Sequence, residues 1–546
     1  MPKFPPLPMT SPWVEKILSQ LTLDQKIGQL LHPNFFPTTN PQELADALGD
    51  VEPGGVFLHS GAGEAFQATI QWLQERSSVP VIISSDLENG AGRIIEGATT
   101  FPELMSLAAT DNEQYAYEMG RASAVEGRAF GVHWAFGPVV DINAHPHSPG
   151  SNTRTMGDSP ERVSRLSQAI IQGMQDHGLC ATAKHFPGSG FDDRDPHLCT
   201  TINPLRMDEW FQLSGRMFQE AIDMGVWSIM IGHTSLPAWD AGDGSHIQAA
   251  PPAPISRRLI TDLLRERMGF EGLIITDAMD MAGVTAWGTF DQIIPKTIEV
   301  GCDMILFADM KRDFAFVKQA VEDGRLSETR IDESVRRVLA LKVLLGLENG
   351  AVQPSNDLPQ SEPFQRLSRA IAEEAITVVK DENATLPLKL EKGTHVLSYH
   401  LRGDPKLDVD AFDDMLRERG VEVTRVTETE ESSPHPSEFD KFDVILFQAV
   451  MTPSWGTNRI RPAGNYMRYI WRFITTHHPR LVFVSYGSPY HTYDMPNLPT
   501  VINAYSPDIS TQKAVMRVLT GELQAKGHSP VDLETPYRFK SQMGFL

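Results

Sequence analysis

The chain has 546 residues, 41% of them apolar and 22% charged, the balance of a globular protein long enough for two or three domains and a large core. Against 70 acidic residues stand 48 lysines and arginines, a formal net charge of −22, and that field opposes nucleic acid and anionic lipid surfaces as partners. The three cysteines form no CxxC pair, the N-terminus MPKFPPLPMTSPW lacks an apolar leader, and no run of about 18 apolar residues occurs, so the expectation is a reduced, cytoplasmic protein with neither a structural zinc site nor a membrane span.

In chain order, short apolar runs predict strands at Ile27–His32, Gly55–His59, Val79–Ser85, Val132–Phe136, Ala181–Phe186, Ser228–His233, Leu273–Asp277 and Met304–Phe307. VPVIISS and GLIITD are apolar on both faces, as strands of a buried parallel sheet must be. Amphipathic segments such as EQYAYEMGRASAVEGRAFG and ERVSRLSQAIIQGMQDHG lie between them and predict helices. Eight strands alternating with helices point to an N-terminal (β/α)8 TIM-type barrel over residues 1–350. An open, doubly wound sheet is the alternative.

The helix RIDESVRRVLALKVLLGL ends near Gly346, and a polar, Pro- and Gly-punctuated stretch follows, with a linker expected at 351–361. From 362 to 546, strands at HVLSYH, DVILFQAV, RLVFVSYGS and TVINAYS alternate with helical segments, which predicts a smaller C-terminal three-layer α/β sandwich.

In a parallel barrel, reactive groups sit where strands end. Here those ends are unusually polar, in SSDLENGAGR, FGPVVDIN, AKHFPGSG, MIGHTSLP and IITDAMDM. Burying Asp86, Asp141, Lys184, His185, His233 and Asp277 around one mouth is costly without a ligand or mutual pairing. A hydrogen-bonding rim of acids, amides and bases suits a polyhydroxylated ligand; caps and ion pairs between loops are the structural alternative. His145-Pro146-His147 has no third ligand at a recognisable spacing, so no metal is expected, and GSPYH at Gly487 has no phosphate-loop lysine.

These motifs resemble glycoside hydrolase family 3, from LTLDQKIGQLL near the N-terminus through TTFPELMSLAAT, RTMGD, KHFPGSG and GLIITDAMDM into AITVVKDENATLPL of the last domain. KHFPG followed by D-x-H is most similar to the bacterial β-N-acetylglucosaminidases of that family. The resemblance implies a retaining mechanism on a carbohydrate substrate, an N-acetylglucosamine-containing oligosaccharide or muropeptide, with no metal or organic cofactor. It makes Asp277 the nucleophile. It makes His197 the acid/base, oriented by Asp195, where most glycosidases use a second carboxylic acid. Pro196 restricts Asp195 to extended conformations, in which residues two apart project to the same side. Asp280 is read as a loop or cap residue.

The same resemblance assigns Asp86, Arg93, Arg154, Lys184 and His185 to substrate binding. Two departures stand out. Ser189 occupies a position where a histidine is common, and D-L-E-N-G-A-G-R is two residues longer than the usual D-x-E-G-G-R, so the direction of Arg93 depends on how the glycines absorb the insertion. The alternatives are a β-N-acetylglucosaminide phosphorylase, a β-glucosidase or β-xylosidase of the same family, and a catalytically silent sugar-binding protein.

Overall fold

The structure, a computed structural model, describes residues 3–240, 250–350, 361–404, 406–427, 436–454, 456, 460–462, 471 and 478–533. The linker expected at 351–361 lies, except for Ser361, outside the described residues.

The chain divides into two compact units. The first comprises residues 1–100, 116–142 and 164–364. Its strands are β1 (Leu31–His32), β2 (Gly55–Leu58), β3 (Ile82–Ser85), β4 (Trp134–Ala135), β5 (Thr182–Phe186), β6 (Ser228–Ile231), β7 (Leu273–Thr276) and β8 (Ile305–Leu306). Every neighbouring pair is parallel. β8 pairs with β1, whose continuation Asn34–Phe35 pairs with β2. β2 pairs with β3 and β3 with β4. Bridges at Trp134–Cys180 and Val139–Lys184 carry the ring to β5. β6 pairs with β5 and β7, and a bridge at Ile275–Met304 returns it to β8. The ring closes, so the unit is a barrel and not an open sheet.

The predicted first strand needs correction. Ile27–Gln29 belongs to the helix Leu23–Gln29, and only Leu31–His32 is strand. A capping box sets that helix start: Thr22 Oγ1 accepts from the Gln25 N–H, and Gln25 Oε1 accepts from the Thr22 N–H at 2.9 Å. The interior of the barrel is partly polar and internally paired. His32 Nε2 meets Ser84 Oγ at 2.7 Å, and Trp134 Nε1 donates to Thr182 Oγ1 at 2.7 Å.

The second unit comprises residues 101–115, 143–163 and 365–546. Its six-stranded sheet contains β9 (Thr377–Asp381), β10 (His395–Arg402), β11 (Glu422–Thr427), β12 (Val444–Val450), β13 (Leu481–Ser485) and β14 (Thr500–Asn503), in the order β9-β14-β13-β12-β10-β11. All pairs are parallel except β9 with β14. Alternate residues face opposite sides, as the pleat requires. Val396, Leu446 and Val484 pack under the helices Asp410–Glu418 and Ile509–Leu519, while Leu397, Tyr399 and Phe447 build the core of the other face. The edge strands β9 and β11 were not among the strands expected from sequence. Two segments that precede residue 350 group with this unit: Asn143 Nδ2 donates to Tyr490 OH at 2.9 Å, and the His528 N–H donates to Ala109 O at 3.0 Å.

Candidate active site

The polar strand ends of the barrel converge through three linked arrangements. At the end of β3, Asp86 and Glu88 both hold Lys184 from β5, with Nζ–Oδ1 and Nζ–Oε1 distances of 3.2 and 2.6 Å. Two carboxylates thus share one nearly buried ammonium, which pairs a charge that would be costly to bury alone. Asp86 is the more exposed of the two carboxylates, so it retains acceptor capacity towards solvent or a ligand.

Beside them, Asp141 organises the KHFPGSG segment. Its carboxylate accepts from His185 Nδ1 at 2.7 Å and from the Ser189 N–H at 2.7 Å. A carboxylate accepts only, so Nδ1 carries the proton and Nε2 is the ring nitrogen turned to other partners. Glu88 and Asp141 received no individual role from sequence. Their signals were present: Glu88 lies two residues beyond Asp86, and Asp141 ends the apolar run GPVV.

Asp277 follows β7. Its Oδ1 accepts from the Ala278 N–H at 2.8 Å, and its side chain keeps partial solvent access. Burial works to raise this carboxyl. The imidazoles of His185 and His233, the Ala278 N–H and the Lys184 ammonium outweigh that effect and hold it below the ordinary carboxylate range. His233 Nε2 donates to Ala278 O at 2.7 Å, and burial pushes the ring below the ordinary imidazole range. Asp280, the nearby competitor, is exposed.

The third arrangement is the loop after β5. Asp195 Oδ1 accepts from both the His197 N–H at 2.9 Å and His197 Nδ1 at 2.7 Å. The expected extended geometry is wrong here. Pro196–Leu198 form a turn, closed by the Leu198 and Cys199 N–H groups on Asp195 O. A turn serves better, because one carboxylate oxygen then fixes backbone and ring together. Asp195 is 3% exposed and His197 29%, so the orienting acid is sealed while the imidazole reaches solvent. With Nδ1 donating, proton exchange falls to Nε2.

This turn is stitched to the segment that follows Asp277. The Ala282 N–H donates to His197 O at 3.2 Å and the Gly283 N–H to Pro196 O at 3.0 Å. A Cβ at Gly283 would lie 2.7 Å from Pro196 O and 2.7 Å from His233 Cβ, so only glycine allows this approach.

The two remaining expected residues, Arg93 and Arg154, sit on turns of their own. Arg93 is exposed on a turn that the Gly92 N–H ties to Thr99 O at 2.9 Å. A Cβ at Gly92 would meet Thr99 C at 2.3 Å, so the close approach of this turn to Thr99 requires glycine there. Arg154 belongs to the second unit, in the turn Asn152–Arg154, where Nη1 donates to Gly150 O at 2.8 Å.

Comparison with known proteins identifies the family and the fold. Residues 22–341 match the family described as glycosyl hydrolase family 3 N terminal domain. A beta-N-acetylglucosaminidase/beta-glucosidase of Cellulomonas fimi is 34% identical over 544 residues, 95% of each chain. Among solved structures, the beta-glucoside phosphorylase BglX bound to 2FGlc superposes with a TM-score of 0.87 at 30% identity, covering 96% of both chains. A family 3 beta-N-acetylglucosaminidase from Paenibacillus sp. str. FPU-7 superposes with a TM-score of 0.81 at 26% identity, covering 94% of this chain and 99% of that one. With a carboxylate held ionised at one strand end and an acid-oriented imidazole stitched beside it, the chain belongs to glycoside hydrolase family 3.

Proposed function

We propose that this glycosidase is a retaining, exo-acting β-N-acetylglucosaminidase that releases terminal β-linked N-acetylglucosamine from peptidoglycan or chitin fragments. The observation that carries this reading is the Asp195–His197 dyad, anchored by backbone to the segment that follows Asp277. Asp277 attacks the anomeric carbon while His197 Nε2 protonates the departing oxygen. His197 then takes a proton from water, which displaces Asp277 and restores the β configuration. Asp195 stabilises the imidazolium that forms in this second step. Asp86, Lys184 and His185 hold the ring hydroxyls, and Glu88 and Asp141 position Lys184 and His185.

Phosphorolysis is the second reading. The fold likeness to a beta-glucoside phosphorylase favours it. So does the dyad itself, because a neutral imidazole repels an incoming phosphate less than a carboxylate does. The deciding assay measures release from aryl β-N-acetylglucosaminide and aryl β-glucoside, each with and without inorganic phosphate. Hydrolysis yields free sugar at a rate independent of phosphate; phosphorolysis yields the sugar 1-phosphate. Equal or higher kcat/KM on the glucoside rules out the N-acetylglucosaminide preference.

A further inference from the structure

Among the described residues, the first unit exposes three large apolar side chains: Phe36 at 69%, Leu198 at 53% and Trp287 at 38%. All three lie on loops that follow barrel strands, after β1, β5 and β7, and so share the C-terminal rim with the catalytic groups. Single exposed hydrophobes are ordinary; three confined to the reactive rim of one barrel are not.

Leu198 is the residue next to His197. Trp287 is fixed to the same loop, because its Nε1 donates to Thr200 Oγ1 at 2.7 Å and that hydroxyl donates to Gly283 O at 2.7 Å. With its N–H satisfied, the indole presents only an apolar face. Across the rim, Phe36 stacks on His59 with centroids 4.5 Å apart and planes 21° apart, which leaves its other face bare. His59 directly follows β2, so this stack belongs to the C-terminal rim as well.

We infer that Trp287 and Leu198, with Phe36 opposite, form the leaving-group subsite, and that it selects aglycones with a flat apolar face: an aryl group, or a second pyranose ring presented on its C–H side. The inference rests on His197 as proton donor. A group that protonates the glycosidic oxygen touches the atom where the aglycone begins, so the side chains flanking His197 face the aglycone and not the bound sugar.

The test compares three substrates with the same sugar: an aryl glycoside, a β-linked disaccharide, and the β-glycosyl fluoride, which has no aglycone. The readout is kcat/KM for each of the first two divided by that for the fluoride. Trp287→Ala lowers this ratio about tenfold or more, a loss of about 1.4 kcal/mol. Leu198→Ser lowers it less, and Trp287→Phe, which keeps a ring and loses the N–H, restores most of it. A fall in one arm only identifies which aglycone the subsite takes.

A ratio unchanged in both alanine and serine variants overturns the inference. So does a parallel fall on all three substrates, which would make Trp287 only a clamp on the dyad loop. Failure of the N-acetylglucosaminide preference is read separately, from wild-type rates on two sugars. Failure of the proton-donor reading is read from His197→Ala, which must slow substrates with poor leaving groups far more than those with acidic phenols.

Discussion

Both units carry a His–Asp pairing in a parallel α/β framework, and the two pairings differ in what they leave open. In the barrel, Asp195 is sealed and His197 is not. In the second unit, Ser398 Oγ donates to Asp413 Oδ1 at 2.6 Å, His400 Nε2 lies 3.3 Å from Asp413 Oδ2, and Arg425 Nε donates to the same oxygen at 2.8 Å. Gln448, opposite His400 in register on β12, donates to Ser398 at 2.8 Å. Ser398, His400, Asp413 and Gln448 are all fully buried under the helix Asp410–Glu418. A serine, a histidine and an aspartate are the ingredients of nucleophilic catalysis, yet here they hold a helix to a sheet. Composition alone does not make a site; access to one ring nitrogen, next to a carboxylate held ionised, does.

The contrast breaks most visibly at Asp277. Asp277→Asn keeps the shape and removes the nucleophile, and kcat on an aryl glycoside falls by about 10⁴-fold or more. Intact mass spectrometry with a slow fluorinated sugar shows the adduct in the wild type and none in the variant. Activity within tenfold of wild type would move the chemistry elsewhere.

Asp413→Asn makes the opposite kind of change. It leaves Arg425 and His400 without their buried anion and costs about 3 kcal/mol, seen as an earlier denaturation midpoint. At low temperature kcat holds. A variant that lost activity while remaining folded would give the buried cluster a catalytic part.

Acid treats the two units alike. Burial pushes His32 in the barrel down to about 3, with the charge of Lys342 adding to it, and burial alone pushes His491 in the second unit to about 3. Both are neutral when folded. Their contribution is complete above the unfolded value near 6.5 and is lost as pH falls from there towards 3. At pH 4.5 each costs about 2–3 kcal/mol relative to pH 7. Urea midpoints across that range measure it, and His491→Phe flattens the slope; an unchanged slope would exclude His491 as a source.

The smallest expected effect is at Asp195. Asp195→Asn removes the anion that fixes His197 Nδ1 and lowers kcat roughly 10- to 100-fold. A kcat equal to wild type would reduce the dyad to a surface turn.

Much of this was legible before any fold was in hand. Runs such as VPVIISS and GLIITD are apolar on both faces because their strands are buried on both faces, a local property that local sequence reports. Asp277, Lys184 and His185 stood out because polar groups at the ends of such runs are costly unless used, whereas the Asp195–His197 pair came from the family resemblance of KHFPG followed by D-x-H. The edge strands β9 and β11 were missed because an edge is half solvated: Glu422-Val-Thr-Arg-Val-Thr lacks the continuous apolar signal of the central strands.

Tertiary structure alone decided the rest. That Asp141 holds His185, that Glu88 shares Lys184 with Asp86, and that Gly283 lets the dyad turn approach the segment after Asp277 are contacts between residues far apart in the chain. The same holds for the placement of residues 101–115 and 143–163 with the second unit. A strand declares itself through its nearest neighbours, because burial repeats along it. Whether a histidine beside an aspartate stays open to solvent, as at His197, or is closed over, as at His400, depends on what the rest of the chain lays over it, and a one-dimensional pattern carries no record of that.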